Sequence, residues 1–272
     1  MELMRRALLP FVCGMICLAA AGCGRDKFGN ALDKALEQDT VTTIGVIGVF
    51  GSPGNHHYVE RDAALAAYLA KIGDGKYTVI TIDTAVANKV LSVVVQPTSN
   101  FADAKVVAKI GKAFGFKIAV IGEVMPADPE KLAVRAIQSL DEEVIAAGEI
   151  PFEAPSAALP ANVRKQTPPP VALNTDIKRF FIGHINAEEV AVTLDVKNVL
   201  PSSSTEAEFL YTMNAPDSRQ DGKGKLYLME NIVELEGLGV GIIYVNADGK
   251  IVLESADNNL NSSWLFEEVA NR

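Results

Sequence analysis

The sequence predicts an α/β domain with a mixed sheet and helices at residues 41–152, followed by a strand-rich α+β domain at residues 175–272. In the first half, short apolar runs alternate with amphipathic helical stretches, which is typical of α/β folds. In the second half, alternation of apolar and polar residues predicts antiparallel strands with one wet face. Six of the 13 prolines lie in residues 151–170. Because proline lacks an amide donor, we expect residues 153–174 to form a linker or an edge segment.

The elements of the first domain follow from the period of its apolar residues. The run TTIGVIGVF is apolar almost throughout, as expected of a strand that is covered on both faces. Residues 58–72 and 101–114 each place their apolar side chains on one helical stripe, whereas residues 85–95 suit a helix or a strand. The remaining expected elements are strands at 76–83 and 118–124 and a hairpin of 132–140 and 144–152, with a solvated Asp141-Glu142-Glu143 turn.

The second domain is predicted mainly from alternation, which is clearest in residues 189–200. Further strands are expected at 209–213, 226–229, 240–245 and 251–254. The last two flank a turn in which Gly249 can take a positive φ. We interpret residues 264–270 as a closing helix. Its Trp264 and Phe266 are expected to seal the second core, with an interface role as the alternative.

Composition and charge exclude several classes of protein. With 272 residues, of which 49% are apolar and 22% charged, the chain can bury one or two hydrophobic cores. The net charge of −9 argues against nucleic acid as a partner, because phosphate binding requires clustered positive charge. All three cysteines, Cys13, Cys17 and Cys23, lie in the first 23 residues. The rest of the sequence therefore has no disulfide, thiolate metal site or cysteine nucleophile.

Residues 1–22 have the layout of a secretory signal peptide. Arg5 and Arg6 precede an apolar stretch at residues 7–18, and a run of small residues follows. The apolar stretch is shorter than the ~20 residues needed to cross a bilayer, and Pro10 interrupts it. We therefore expect residues 1–22 to be removed when the protein is exported.

The residue after the small run makes this signal more specific. Ala20-Ala21-Gly22-Cys23 resembles the lipobox of bacterial lipoproteins, although that motif usually has leucine where Ala20 stands. The resemblance implies that Cys23 becomes the lipidated first residue, with palmitate among several acyl chains that together anchor the protein stably. Gly24, in place of aspartate, favours the outer membrane over the inner one. The alternative is a soluble secreted protein with a chance cysteine at its cleavage site.

Cleavage would change the charge and leave a tether. Loss of Glu2, Arg5 and Arg6 leaves 23 basic and 33 acidic residues, a net charge of −10. Anionic headgroups would repel such a chain, so the acyl chains rather than electrostatics would hold it at the membrane. Residues 23–40 are polar and predict a lipid-anchored tether with one short helix. At ~3.3 Å per residue this tether could extend roughly 60 Å.

Residues 41–152 resemble a group of periplasmic lipoprotein domains. The passage AKIGKAFGFKIAVIGEV, at residues 108–124, is similar to the helix, glycine and apolar strand ending in Gly-Glu of that group. The group includes the curli-secretion lipoprotein CsgG, the flagellar lipoprotein FlgO, the penicillin-binding-protein activator LpoB and the amino-terminal domain of TolB. The chain departs from it at Asp141-Glu142-Glu143, where a glycine is common. The resemblance implies an outer-membrane module that binds other envelope proteins.

The loop after the first strand is the candidate for an active site. Gly51-Ser52-Pro53-Gly54-Asn55-His56-His57 could hold phosphate on its amides, but its glycines match neither GxGxxG nor a Gly-Lys-Ser/Thr motif. The histidine pair could bind a metal with Glu60 or Asp62. Adjacent histidines point apart, however, and the third histidine, His184, lies in the other domain. A tight turn that opens a helix is therefore the favoured interpretation.

Hydrolytic motifs are also absent from the sequence, which contains neither GxSxG nor SxxK. We therefore predict no catalytic residue, no cofactor and no metal. The favoured function is a non-enzymatic outer-membrane lipoprotein whose periplasmic domains bind proteins in the assembly or regulation of a cell-envelope machine. The alternative is a solute-binding lipoprotein that holds its ligand between the domains or near Gly51 to Asn55.

Overall fold

The chain forms a six-stranded mixed sheet covered by helices, which we call the sheet domain, and a closed eight-stranded barrel. The computed structural model describes residues 27–37, 43–51, 57–83, 86, 89–90, 92, 103–152, 160–166, 179–186, 192–256 and 263–269. The helices are α1 (Lys27–Glu37), α2 (Val59–Gly73) and α3 (Ala104–Ala113). The strands are β1 (Thr43–Gly51), β2 (Thr78–Ile82), β3 (Ile118–Met125), β4 (Asp128–Gln138), β5 (Glu143–Pro151), β6 (Val163–Gln166), β7 (Arg179–Ile185), β8 (Val192–Pro201), β9 (Glu206–Ala215), β10 (Ser218–Tyr227), β11 (Ile232–Leu235), β12 (Gly239–Val245), β13 (Ile251–Ser255) and β14 (Trp264–Val269).

The mixed sheet has the strand order β5-β4-β3-β1-β2-β6. β1 pairs in parallel with β2 and β3, and β2 pairs in parallel with β6. β4 and β5 form an antiparallel hairpin beside β3. The predicted mixed sheet and its hairpin are thus confirmed. Seven consecutive residues of the central strand β1 are buried, which is why its sequence is apolar almost throughout.

Helices cover both faces of the sheet. α1 and α2 pack on one face, in a core that includes Phe28 and Leu65. α3 packs on the other face, in a separate core that includes Ile47 and Ile121 and that we call the α3 core. Asp103 caps α3, because its carboxylate accepts a hydrogen bond from the backbone amide two residues later at 3.0 Å. None of the described helices combines the length and the apolar character needed to cross a bilayer.

The first helix is the short helix expected within residues 23–40, but it corrects the expectation that this segment is a solvated tether. α1 lies inside residues 23–40, yet Phe28 and Leu32 are fully buried. The helix approaches β5 closely because Gly148 has no side chain; a Cβ there would lie 2.9 Å from that of Phe28. Most other positions of α1 are polar or small, so the segment looks solvated in sequence. Residues 27–37 instead belong to the core of the sheet domain.

The second domain is a closed barrel and not an α+β domain. Its strand order is β10-β11-β12-β13-β14-β7-β8-β9, and all neighbours pair antiparallel. Gly222 and Gly224 of β10 lie against the rings of Tyr211 and Phe209, where any side chain would collide with the aromatic rings. Aliphatic and aromatic side chains fill the rest of the interior. Within the described residues of 179–269, every regular element is a strand.

The expected closing helix at residues 264–270 is a strand, β14. Trp264 and Phe266 point into the barrel and are buried there. This confirms the prediction that they seal the core of the second domain. Leu265, between them, packs on the outer side against the α3 core. The apolar residues of this short segment suit either structure. Pairing with β13 and β7 decides for a strand, because it satisfies the backbone groups of both neighbours and closes the barrel.

The segment between the sheet domain and the barrel contributes one strand. Val163–Gln166 form β6 at the edge of the sheet, parallel to β2. Part of the expected linker at residues 153–174 is therefore an edge strand, while residues 153–159 and 167–174 lie outside the described residues. In the stretch that suited a helix or a strand, residues 86, 89, 90 and 92 are helical.

Candidate functional site

At the carboxyl end of β1, a histidine and an aspartate fasten the start of α2. His57 Nε2 and Asp62 Oδ2 are 2.7 Å apart, and Asp62 Oδ1 accepts the backbone amide of Val49 at 2.8 Å. The imidazole stacks on Phe50, with ring centroids 4.9 Å apart. Both carboxylate oxygens of Asp62 thus have protein partners. The arrangement ties the chain that follows β1 back onto the strand.

The structure brings together only some of the residues that the sequence offered as metal or phosphate ligands. Residues 52–56, which include His56, lie outside the described residues. His57 meets Asp62, whereas Glu60 is exposed on the first turn of α2 and His184 lies on β7 of the barrel. Across the part of the chain that the structure describes, no three His, Cys, Asp or Glu side chains form a group that could hold a metal ion.

A cluster of charged side chains is buried between α3 and the barrel. Lys109 and Lys112 lie one turn apart on α3 and are only 5% and 8% exposed. Lys112 Nζ lies 3.0 Å from the carboxylate of Glu142, in the turn between β4 and β5, and 3.0 Å from that of Glu254 on β13. Lys109 Nζ donates to the carbonyl of Ser255 at 2.8 Å and lies 3.7 Å from Glu254. We call Lys109, Lys112, Glu142 and Glu254 the ion cluster.

Tyr244 adds a hydrogen-bond donor to the ion cluster. Its hydroxyl donates to Glu254 Oε2 at 2.9 Å, and Lys112 Nζ lies 5.4 Å from the centre of its ring. Burial raises the pKa of Tyr244 far above its usual value, and the negative charge of Glu254 raises this pKa further. The phenol therefore stays neutral and serves as a donor. Each carboxylate oxygen of Glu254 thus faces a polar partner.

The ion cluster belongs to a larger contact between the sheet domain and the barrel. Its two cations and two anions balance, as buried charges require. Asn231 donates to the carbonyl of Ala113 at 2.8 Å and so satisfies a backbone group at the carboxyl end of α3. Ile232, Ile242 and Val252 on the outer side of the barrel pack into the α3 core. In the described part of this interface, packed side chains and ion pairs occupy the place where the alternative function would put a solute.

The ion cluster is not predicted by the sequence patterns of its segments. Val106, Val107 and Ile110 indicate one buried side of α3, which leaves Lys109 and Lys112 on the side expected to face water. The turn at 141–143 was likewise expected to be solvated. Instead, Glu142 takes a φ of 59° and pairs with Lys112. An acidic residue at a turn position that favours glycine is the one sequence signal that points to this role.

The outer surface of the barrel carries a groove of about 980 Å³ across β8–β11. Leu200 and Leu210, which are 66% and 46% exposed, supply its apolar surface. Lys223, Lys225 and Glu208 are among the charged side chains that line it. We call this feature the barrel groove. Exposed apolar side chains with a polar rim are one arrangement that protein contact surfaces use.

Strand β7 adds two more exposed apolar side chains to the barrel surface. Phe180 and Ile182 are 43% and 46% exposed, while Phe181 between them is buried in the interior. The alternation shows that both exposed residues face outward. Between them and the barrel groove stand polar outward side chains of β8, including the ion pair of Asp195 with Lys197 at 2.7 Å, so the exposed apolar side chains of β7 are separate from that groove.

The predicted lipidation site precedes the part of the chain that the structure describes. Cys23 and the signal peptide at residues 1–22 lie outside the described residues, which begin at Lys27. The distance along the chain is short, because three residues stand between Cys23 and the first residue of α1.

Comparison with known proteins found no family model and no curated protein that matches the chain. Among solved structures, the chain is similar to the LpoB C-terminal domain from Salmonella enterica, at 15% identity and a TM-score of 0.30, over 46% of this chain and 93% of that one. It is also similar to TolB from Acinetobacter baumannii, at 10% identity and a TM-score of 0.25, over 86% of this chain and 70% of that one. LpoB and TolB are two of the proteins named for the sequence resemblance. At these TM-scores, neither likeness carries an argument about function.

Proposed function

We propose that this protein is a non-enzymatic outer-membrane lipoprotein that is anchored through Cys23 and binds other envelope proteins on the periplasmic side. The observation that carries the proposal is the position of Cys23, directly after Ala-Gly at the end of a short apolar run that follows two arginines. A cysteine in that position suits acylation better than any other use. The protein would serve in the assembly or regulation of a cell-envelope machine.

The surface of the barrel supports a role in binding proteins rather than solutes. The described interior of the barrel is filled by aliphatic and aromatic side chains, so the space for a partner lies outside. There the barrel groove presents Leu200 and Leu210 among lysines and glutamates. An open surface of this kind fits a protein segment better than an enclosed small molecule, which requires a concave pocket that covers most of its area.

Replacing Cys23 tests the anchor. We expect the wild-type chain to fractionate with the outer membrane and Cys23→Ser to appear in the soluble periplasmic fraction, because only Cys23 can carry the acyl chains. Cys17→Ser is the matched control, since Cys17 lies in the segment that cleavage removes, and it should leave the fractionation unchanged. Retention of Cys23→Ser in the outer membrane would contradict the proposed anchor.

Site-specific photocrosslinking in intact cells tests protein binding. A photoreactive amino acid at Leu210, in the barrel groove, should form discrete adducts with envelope proteins. The same amino acid at Lys71, exposed on α2 of the sheet domain, is the control and should not form these adducts. Identical adducts from both positions, or none from Leu210, would contradict a binding role for the barrel.

A further inference from the structure

The position of α1 limits how far the body of the protein can lie from a lipid anchor. The four residue-to-residue steps from Cys23 to Lys27 span at most about 14 Å, even when fully extended. α1 cannot drift away from the sheet domain without exposing Phe28 and Leu32, both of which are fully buried. Acyl chains on Cys23 would therefore hold the amino-terminal end of α1 close to the phospholipid headgroups.

The barrel lies on the other side of the sheet domain from α1. α1 shares its core with α2 on one face of the sheet, whereas the barrel packs on α3, which covers the opposite face. Each layer adds roughly 10 Å, so α1 and the near wall of the barrel are separated by about 30 Å. The order of the layers is thus α1 with α2, then the sheet, then α3, then the barrel.

The closed strand order shows which wall of the barrel is farthest from α1. Strands β11, β12 and β13 supply the buried side chains of the barrel in the α3 core, and Tyr227 of β10 and Leu265 of β14 pack beside them. In the circular order, β8 stands four strands from β12 and so lies across the barrel from it. We call β7, β8 and β9 the far wall. Phe180, Ile182, Leu200 and Leu210 are its exposed apolar side chains.

The outer stripe of α1 carries positive charge in a chain that is acidic as a whole. Lys27, Asn30, Lys34 and Glu37 are exposed at the three- and four-residue spacing of one helical face. Two lysines and one glutamate leave this stripe with one net positive charge, in contrast to the net charge of −10 expected for the mature chain. Lysines near a membrane surface are attracted to anionic phospholipids, so this stripe is suited to face headgroups.

From these observations we propose that the outer stripe of α1 faces the phospholipid surface and that the far wall of the barrel points away from it. The proposal rests on the proposed anchor at Cys23, since it takes the short connection from Cys23 to α1 as the cause of the orientation. A lipid surface is thus one partner of the protein, and the exposed apolar side chains of the far wall stay available to proteins in the periplasm.

Fluorescence quenching on vesicles tests this orientation. The acylated full-length mature protein is reconstituted into vesicles of phosphatidylethanolamine and phosphatidylglycerol that carry a nitroxide on a fraction of the headgroups. A dye is attached at Lys34→Cys on α1 or at Asp217→Cys in the turn between β9 and β10. Labelling is specific, because acylation blocks Cys23, the only other cysteine of the mature chain. Since nitroxides quench only at short range, the dye at position 34 should lose most of its fluorescence and the dye at position 217 almost none.

A longer connection is the control for the cause of the orientation. Twenty Gly/Ser residues inserted between Asp26 and Lys27 add an r.m.s. span of about 25 Å, so the quenching at position 34 should fall towards that at position 217. Equal quenching at both positions without the insertion, or an undiminished difference with it, would overturn the proposed orientation. Vesicle flotation and the mass of the Cys23 peptide are measured on the same samples. Absence of acyl chains would overturn the anchor and the orientation together, whereas equal quenching on acylated, floating protein would overturn the orientation alone.

Discussion

Replacement of Glu254 by glutamine should weaken the attachment of the barrel to α3. The side chain of Glu254 is 12% exposed, and its carboxylate faces Lys112 at 3.0 Å and Lys109 at 3.7 Å. Breaking a buried ion pair typically costs 3–5 kcal/mol, because a charge is left without compensation. Here Lys112 keeps Glu142 and Lys109 keeps the carbonyl of Ser255. We therefore expect a loss at the lower end of that range, about 3 kcal/mol.

Urea unfolding of the mature chain measures this loss, with Cys23→Ser as the common background so that acylation does not interfere. In thermal unfolding, the same loss should lower Tm by roughly 6–12 °C for a chain of this size. The matched control is Glu208→Gln, the same chemical change at an exposed position on the barrel, which should cost less than about 1 kcal/mol. If Glu254→Gln destabilises no more than this control, the lysines of α3 are solvated and the ion cluster does not hold the interface.

Two further predictions concern Tyr244 and α1. The pKa of Tyr244 in the folded protein is raised above the ~10 of an unfolded tyrosine, so its contribution to stability is complete below about pH 10 and is lost as the pH rises further. Tyr244→Phe should reduce the fall in urea midpoint between about pH 9 and 11, and an unchanged fall would contradict the role given to Tyr244. Phe28→Ala should cost about 3–5 kcal/mol and speed amide exchange throughout α1, whereas Lys34→Ala on the exposed side should do neither. Slow exchange in α1 of the Phe28→Ala variant would show that Phe28 does not fasten the helix.

Most of the sheet domain could be predicted because its signals are local. The buried strand β1 has an apolar run, and α3 has an amphipathic stripe that begins at a capping aspartate, Asp103. β14 was misjudged because six residues with Trp264 and Phe266 two positions apart are too few to separate a helix from a strand. Only the pairing with β7, more than 75 positions earlier in the sequence, decides the matter. Long-range pairing of this kind leaves no mark within a single segment.

The candidate site was missed for the same reason. Lys109 and Lys112 lie on the side of α3 that is exposed until a second layer covers it, and that layer is formed by β11–β13 of the barrel. The partners Glu142 and Glu254 stand far from them in sequence, so no spacing rule links the four side chains. The docking of α1 likewise depends on Gly148, which leaves room for Phe28. This glycine is distant from α1 in sequence, and nothing around it in the sequence indicates that a helix packs there.

The contact between the barrel and α3 links the position of α1 to the surface that the barrel presents. A barrel that was joined to the sheet domain only by a flexible linker could turn freely. The orientation of the sheet domain at a membrane would then not determine which surface the barrel presents. The ion cluster and the apolar contacts instead hold β11–β13 against α3, and α3 is held against the sheet. Because the sheet, α3 and the barrel are packed on one another, the orientation proposed for α1 also determines the direction in which the far wall points. A variant such as Glu254→Gln that loosens this interface should consequently alter which surfaces of the barrel the proposed periplasmic partners can reach, even though Glu254 lies on the opposite side of the barrel from the far wall.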